Sequence, residues 1–156
     1  MNESIWHAAW RLHAQQQGAD ISQDANIIWE NGTVTELQTT YPSRQVIHER
    51  ETMYGTDNMN WIYRWDQPAW DRLWNVGEGW FRWSQPSRNM LAHTAPVIWH
   101  HHDRLYNVTL KEQDGDVWIR FDRGEDKNGP VLYASEPAPF DVADAHTHYN
   151  RLATHG

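Results

Sequence analysis

The run from Asp24 to Gln38, DANIIWENGTVTELQ, constrains the fold more than any other stretch of the chain. Two strand-like segments, roughly 24–29 and 33–39, flank Glu30, Asn31 and Gly32, the pattern of a β-hairpin. The turn decides the face of every side chain, because a slip of one residue moves the whole set across the sheet. A two-residue Asn-Gly turn pairs Glu30 with Thr33, sets Glu36 opposite Ile27 and leaves Asn26 on the other face. A three-residue loop with Gly32 in the left-handed conformation pairs Trp29 with Thr33, setting Glu36 opposite Asn26 and Gln38 opposite Asp24. The second register is expected, since it gathers the polar strand residues on one face.

A carboxylate and an amide two residues apart on such a strand are the residue economy of a metal-dependent nuclease site. The neighbouring segments suit a compact unit around it. Residues 3–16 read as an amphipathic helix with Ile5, Trp6, Ala9, Trp10 and Leu12 on its apolar side and Gly18 ending it. Glu3, His7 and Arg11 share its other side at a spacing of four, either as a solvated stripe or turned toward a sheet. Arg44 to Tyr54 reads as a second helix with Ser43 as N-cap and Gly55 as stop, Val46, Ile47 and Met53 facing the sheet, and Arg44, Arg50 and Glu51 left for solvent or the site. The apolar strand MNWIYRW, 59–65, then completes a β-β-α-β unit.

Three regions are expected: a core over 1–66, a β-rich extension packed on it over 67–133, and a loosely attached polar tail over 134–156. The extension has short strands at 80–83, 97–99, 105–111, 117–121 and 131–133, with an Asp-Gly turn inside 113–116. At 156 residues this is one domain. No cysteine is present, which excludes disulfides, thiolate zinc sites and Cys nucleophiles. With no signal-like or membrane-spanning run, a cytoplasmic protein with no membrane partner is expected.

The net charge of −8 argues against a generic nucleic-acid binder. Local relief is visible in 79–102, which holds Arg82, Arg88 and four histidines but no acid, interleaved with Trp80, Phe81, Trp83 and Trp99. Of the eleven tryptophans, most are expected to be packing. His100, His101 and His102 are expected in a loop or at the surface, and His146 and His148 share a face if extended, as an HxH pair would, but lie in the least structured part of the chain.

Taken in order, these residues resemble the nuclease-like domain of CoiA-type competence proteins, within the PD-(D/E)XK superfamily. The resemblance rests on Glu3, Trp6, His7 and Trp10; on Asp24, Ala25, Asn26, Ile27 and Ile28; on Glu36, Leu37 and Gln38; on Arg50, Tyr54 and Gly55; on Asn60 to Tyr63; and on the segment WFRWSQPSRNMLAHTAPVIW. It covers roughly 3–110 and implies an α+β fold, an α/β sandwich with a restriction-endonuclease-like core of helix, hairpin, helix and strand.

What the resemblance implies is hydrolysis of DNA phosphodiester bonds around a divalent cation, Mg²⁺ or Mn²⁺. It assigns Glu36, residue 26, Asp24 and Glu3 to the metal, Gln38 to orienting water or phosphate, and His7 to ligation or acid–base work. Arg44, Arg50, Arg82 and Arg88 are the nucleic-acid-binding candidates. RNA stays open beside DNA, as does a homodimer. The departure is Asn26, where the family pattern has a metal-binding Asp: an inactive binding module, a takeover by Asp24, and a variant made to trap a complex all fit.

Overall fold

In the computed structural model, residues 4–22, 26–121, 124–126, 129–131 and 135–155 are described. They form a mixed α+β fold with four α-helices and a mostly antiparallel sheet. Helix α1 (Ile5–Gln16) opens on Ser4, whose Oγ accepts the His7 backbone N–H. Strands β1 (Asn26–Ile28) and β2 (Val34–Gln38) form the hairpin, with Asn26 paired to Glu36, Ile27 to Thr35 and Ile28 to Val34. Trp29 N–H donates to the Thr33 carbonyl, and Gly32 sits at φ 88°. The three-residue loop is therefore the one adopted.

Helix α2 (Arg44–Tyr54) runs from the Ser43 cap to Gly55, and β3 (Met59–Arg64) returns parallel to β2. Helix α3 (Gln67–Trp70) precedes β4 (Leu73–Gly77) and β5 (Trp80–Trp83). After a short 3-10 turn at Arg88–Ala92 come β6 (Val97–His101), β7 (Arg104–Gln113) and β8 (Asp116–Phe121). Strands β9 (Gly124–Asp126) and β10 (Gly129–Val131) make a separate pair. The large sheet runs β1-β2-β3-β6-β7-β8-β5-β4, with β11 (Ser135–Pro137) added on β7.

The sheet separates two cores. On one face, Trp6, Ala9, Trp10 and Ala14 of α1 pack on Ile27, Leu37, Ile62 and Leu105 with Phe140 and Ala145. On the other, Ile47 of α2 joins Trp61, Tyr63, Trp65, Trp83, Trp99, Val117, Ile119 and Phe121. In a flat sheet β6 and β5, three strands apart, would lie about 14 Å apart. Trp99 and Trp83 project from those strands, yet their ring centroids are 6.0 Å apart, so the sheet curls and closes over this core. Trp65 stacks on Trp99 at 3.4 Å inside the curl.

Several expectations need correcting. The C-terminal stretch is folded: β11 pairs with β7, a 3-10 turn spans Val142–Asp144, and α4 (Ala145–His155) packs beside α1. Its anchors are few, Phe140, Ala145 and His148, which is why a polar composition concealed it. Ile5, Val46 and Met53 are exposed, because α1 buries the Trp6–Ala9–Trp10–Ala14 stripe and α2 buries Ile47 and Glu51. β4 and α3 continue the fold where no element was expected. The strand expected at 131–133 lies partly outside the described residues. Among the described residues, no helix is long and apolar enough to cross a membrane.

Candidate functional site

Alternation along β2 puts Val34, Glu36 and Gln38 on the face toward α2, and the hairpin register places Asn26 beside Glu36. Helix α2 adds Arg50 and, one helical turn later, Tyr54. Glu36 is only 2% exposed, yet it is an acid. Arg50 Nη1 stands 3.8 Å from Glu36 Oε1, and the Asn26 amide hydrogen-bonds both Glu36 and, at 2.7 Å, the Tyr54 hydroxyl. Burial dominates over these partners and pushes the Glu36 carboxyl up to about 7, so it holds or releases a proton near neutrality.

The donor set decides what this cluster can hold. Glu36 is one carboxylate and Asn26 is a neutral amide already engaged, while Arg50 places a guanidinium where a cation would compete. These described groups do not make a Mg²⁺ site by themselves. Asp24 and Glu3, the other expected ligands, lie outside the described residues. Among the described residues, no three His, Asp or Glu side chains gather as a metal-holding group.

His7 does not join Glu36. It projects from α1 on the opposite side of the sheet, where its Nε2–H donates to the Leu37 carbonyl at 2.8 Å and its Nδ1 accepts from Ser4 Oγ–H. Arg11, next on that stripe, donates to the Ile21 carbonyl. His7 and Arg11 therefore bind backbone, at Leu37 and Ile21. Gln38 is half-buried on the Glu36 face, paired in register with Tyr63.

The four arginines disperse. Arg50 belongs to Glu36, whereas Arg44 reaches the Arg88 carbonyl and Arg88 pairs with Glu112 at 3.0 Å and with the Gly115 carbonyl. Arg82 is exposed on the other face of the sheet, in β5.

A second buried network adjoins Glu36 and was not foreseen from sequence. Glu51 accepts from Trp61 Nε1 at 3.0 Å and from the backbone N–H groups of Thr94 and Ala95 at 2.9 Å each. His93 stands edge-on to Trp61, its Nδ1 3.6 Å from Glu51 Oε2, while its Nε2 accepts from the Tyr63 hydroxyl at 2.6 Å. Burial lowers the His93 pKa, favouring the neutral ring that this arrangement needs. The available signal was Glu51 falling four residues after Ile47, on the buried side of α2.

The expected surface role for the histidine run is also corrected. His100 is fully buried on the α1 side, accepting at Nδ1 from Trp6 Nε1 at 2.9 Å and Trp10 Nε1 at 3.1 Å, and donating from Nε2 to the Phe140 carbonyl at 2.8 Å. His101 is buried on the other face, donating to the Trp65 carbonyl and stacked on Trp70 at 4.2 Å. Only His102 is exposed. His146 and His148 lie on α4, not on an extended segment, so they do not form a strand pair.

Comparison with known protein families, curated proteins and solved structures finds no match for this chain.

Proposed function

We propose that this chain is a nucleic-acid-binding protein built on a restriction-endonuclease-like core of the CoiA type, in which the place of the metal centre is taken by an internally neutralised carboxylate. The observation that carries the reading is the environment of Glu36. Arg50 at 3.8 Å and the Asn26 amide are its polar partners, burial outweighs them and favours the protonated carboxyl, and the side chain is almost sealed from solvent. A metal-dependent hydrolase needs the opposite: at least two ionised carboxylates open to an ion that keeps several waters. Asn26 supplies an amide where the second of these would stand.

A second reading is Mg²⁺- or Mn²⁺-dependent cleavage of DNA, with Asp24 furnishing the missing charge. The hairpin register favours it, because Glu36 stands opposite residue 26 with Gln38 two residues on along the same face.

Cleavage and binding assays separate the two. Labelled single- and double-stranded DNA and RNA are incubated with Mg²⁺ or Mn²⁺ and the native chain, Asn26→Asp, or Asn26→Asp with Glu36→Ala. Binding without cutting by the native chain is the expected result, and cutting gained with Asp at 26 and lost with Glu36→Ala would tie that loss to one carboxylate. Cutting by the native chain establishes the second reading. Neither binding nor cutting of any nucleic acid removes both.

A further inference from the structure

Among the described residues, no helix covers one face of half of the sheet. On the side where α1 and α4 pack over β1, β2, β3, β6 and the Leu105 end of β7, no helix of the described residues joins the core over the rest of β7 or over β8, β5 and β4; their alternation brings a separate set of side chains outward. Register aligns Lys111, Trp118, Arg82 and Trp74 in one row across the four strands, and Thr109, Arg120 and Trp80 in the next. Tryptophans and cations therefore alternate on this face.

The cations rest on rings. Lys111 Nζ lies 4.0 Å from the centroid of Trp80 and 5.4 Å from that of Trp118, and Arg120 Cζ lies 4.9 Å over Trp80. Among the described residues, no carboxylate forms an ion pair with Arg82, Lys111 or Arg120; the acid in the outward row, Asp116, stands at its end by the hairpin. In a chain of net charge −8, a face bearing three cations is complementary to a polyanion. Trp74 is 58% exposed, and Trp80 and Trp118 are half-buried, with ring centroids 6.5 Å apart.

We propose that this sheet face binds single-stranded nucleic acid, with bases stacked on Trp74 and Trp118 and phosphates held by Arg82, Lys111 and Arg120, the last two positioned over the Trp80 ring. The inference rests on the nucleic-acid-binding reading above and names its substrate class. A duplex keeps its base faces inside the stack, so exposed indoles gain nothing from it, whereas an open strand offers a ring face at every nucleotide. A neutral glycan would use the tryptophans and leave the three cations without partners.

Fluorescence anisotropy tests this with the full chain, a labelled single strand of about 20 nucleotides as DNA or RNA, and the matching duplex. The single strand is expected to bind more tightly than the duplex. Trp74→Ala should weaken single-strand binding by at least about fivefold. Lys111→Ala should weaken it and flatten its salt dependence, and Met53→Ala, on an exposed position of α2, should leave it unchanged. Circular dichroism of each variant separates lost contacts from lost fold, and the exposure of Trp74 makes its replacement benign for folding. Full-strength binding by both Trp74→Ala and Lys111→Ala overturns the assignment of this face and leaves the proposed function standing. No binding of any nucleic acid by the native chain overturns both. Trp74-dependent binding of a neutral β-glucan in place of nucleic acid gives the face to carbohydrate and overturns the inference.

Discussion

Two buried titratable side chains set opposite pH dependences. Glu36 is raised from 4.5 to about 7 by burial, so its neutral form is the one the fold favours. Its stabilising protonated form is complete below the unfolded value and is lost as pH rises through about 7, a difference of about 3 kcal/mol. His100 is lowered from 6.5 to about 4 by burial, so its contribution is present above 6.5 and lost as pH falls toward 4. Between roughly pH 4.5 and 6.5 Glu36 opposes His100 and His93, whose pKa burial also lowers, so native stability should rise with pH there, less steeply than the histidines alone would make it. Glu36→Gln keeps the neutral shape, and Arg50, 43% exposed, can turn to water. It should raise the melting temperature at pH 8 by several degrees, change little at pH 5, and steepen the acid-labile slope of His100 and His93. Thermal denaturation across pH checks this; an unchanged melting temperature at pH 8 would refute the burial argument. His100→Ala strands two indole N–H groups and should cost at least about 3 kcal/mol in urea unfolding. Glu36 was legible in sequence because hairpin register is local. His100 was not, because its partners lie 94, 90 and 40 residues away.

Elements whose ends are written locally were the readable ones. Helix α2 begins at its Ser43 cap and stops at Gly55, as its sequence suggested, because both devices act within four residues. The hairpin was readable for the same reason, through Gly32 at φ 88°. Gly32→Ala has open space for the methyl group but strains the backbone, so a loss of about 1 kcal/mol is expected in chemical denaturation, with Asn26 still opposite Glu36. α4 was unreadable because its stability is borrowed: Phe140 inserts beside Trp10 and His100 with ring centroids 5.8 and 5.2 Å away, and His148 stacks on Phe140 at 4.9 Å. Phe140→Ala should therefore cost about 3–5 kcal/mol, far more than a change in a loose tail. Urea unfolding gives the loss, and limited proteolysis should show α4 cut first.

At the scale of the whole molecule, charge and shape work against each other in a way that binding can read. A net charge of −8 repels a polyanion at long range, while the β7-β8-β5-β4 face attracts it locally through three cations. Composition alone could not show this, because Arg82, Lys111 and Arg120 come from three strands that become neighbours only in the folded sheet, whose order departs from chain order at β8-β5. Neutralising three phosphates of a single strand gives a slope of about −2 in log affinity against log salt. Salt also screens the overall repulsion, which makes the measured slope shallower still. Anisotropy titrations from low to moderate salt should therefore give a slope no steeper than about −2, and Lys111→Ala should reduce it by about 0.7. A slope of about −5 would mean that cations beyond this face neutralise phosphate, with Arg44 and Arg88 on the opposite side of the sheet the first to replace.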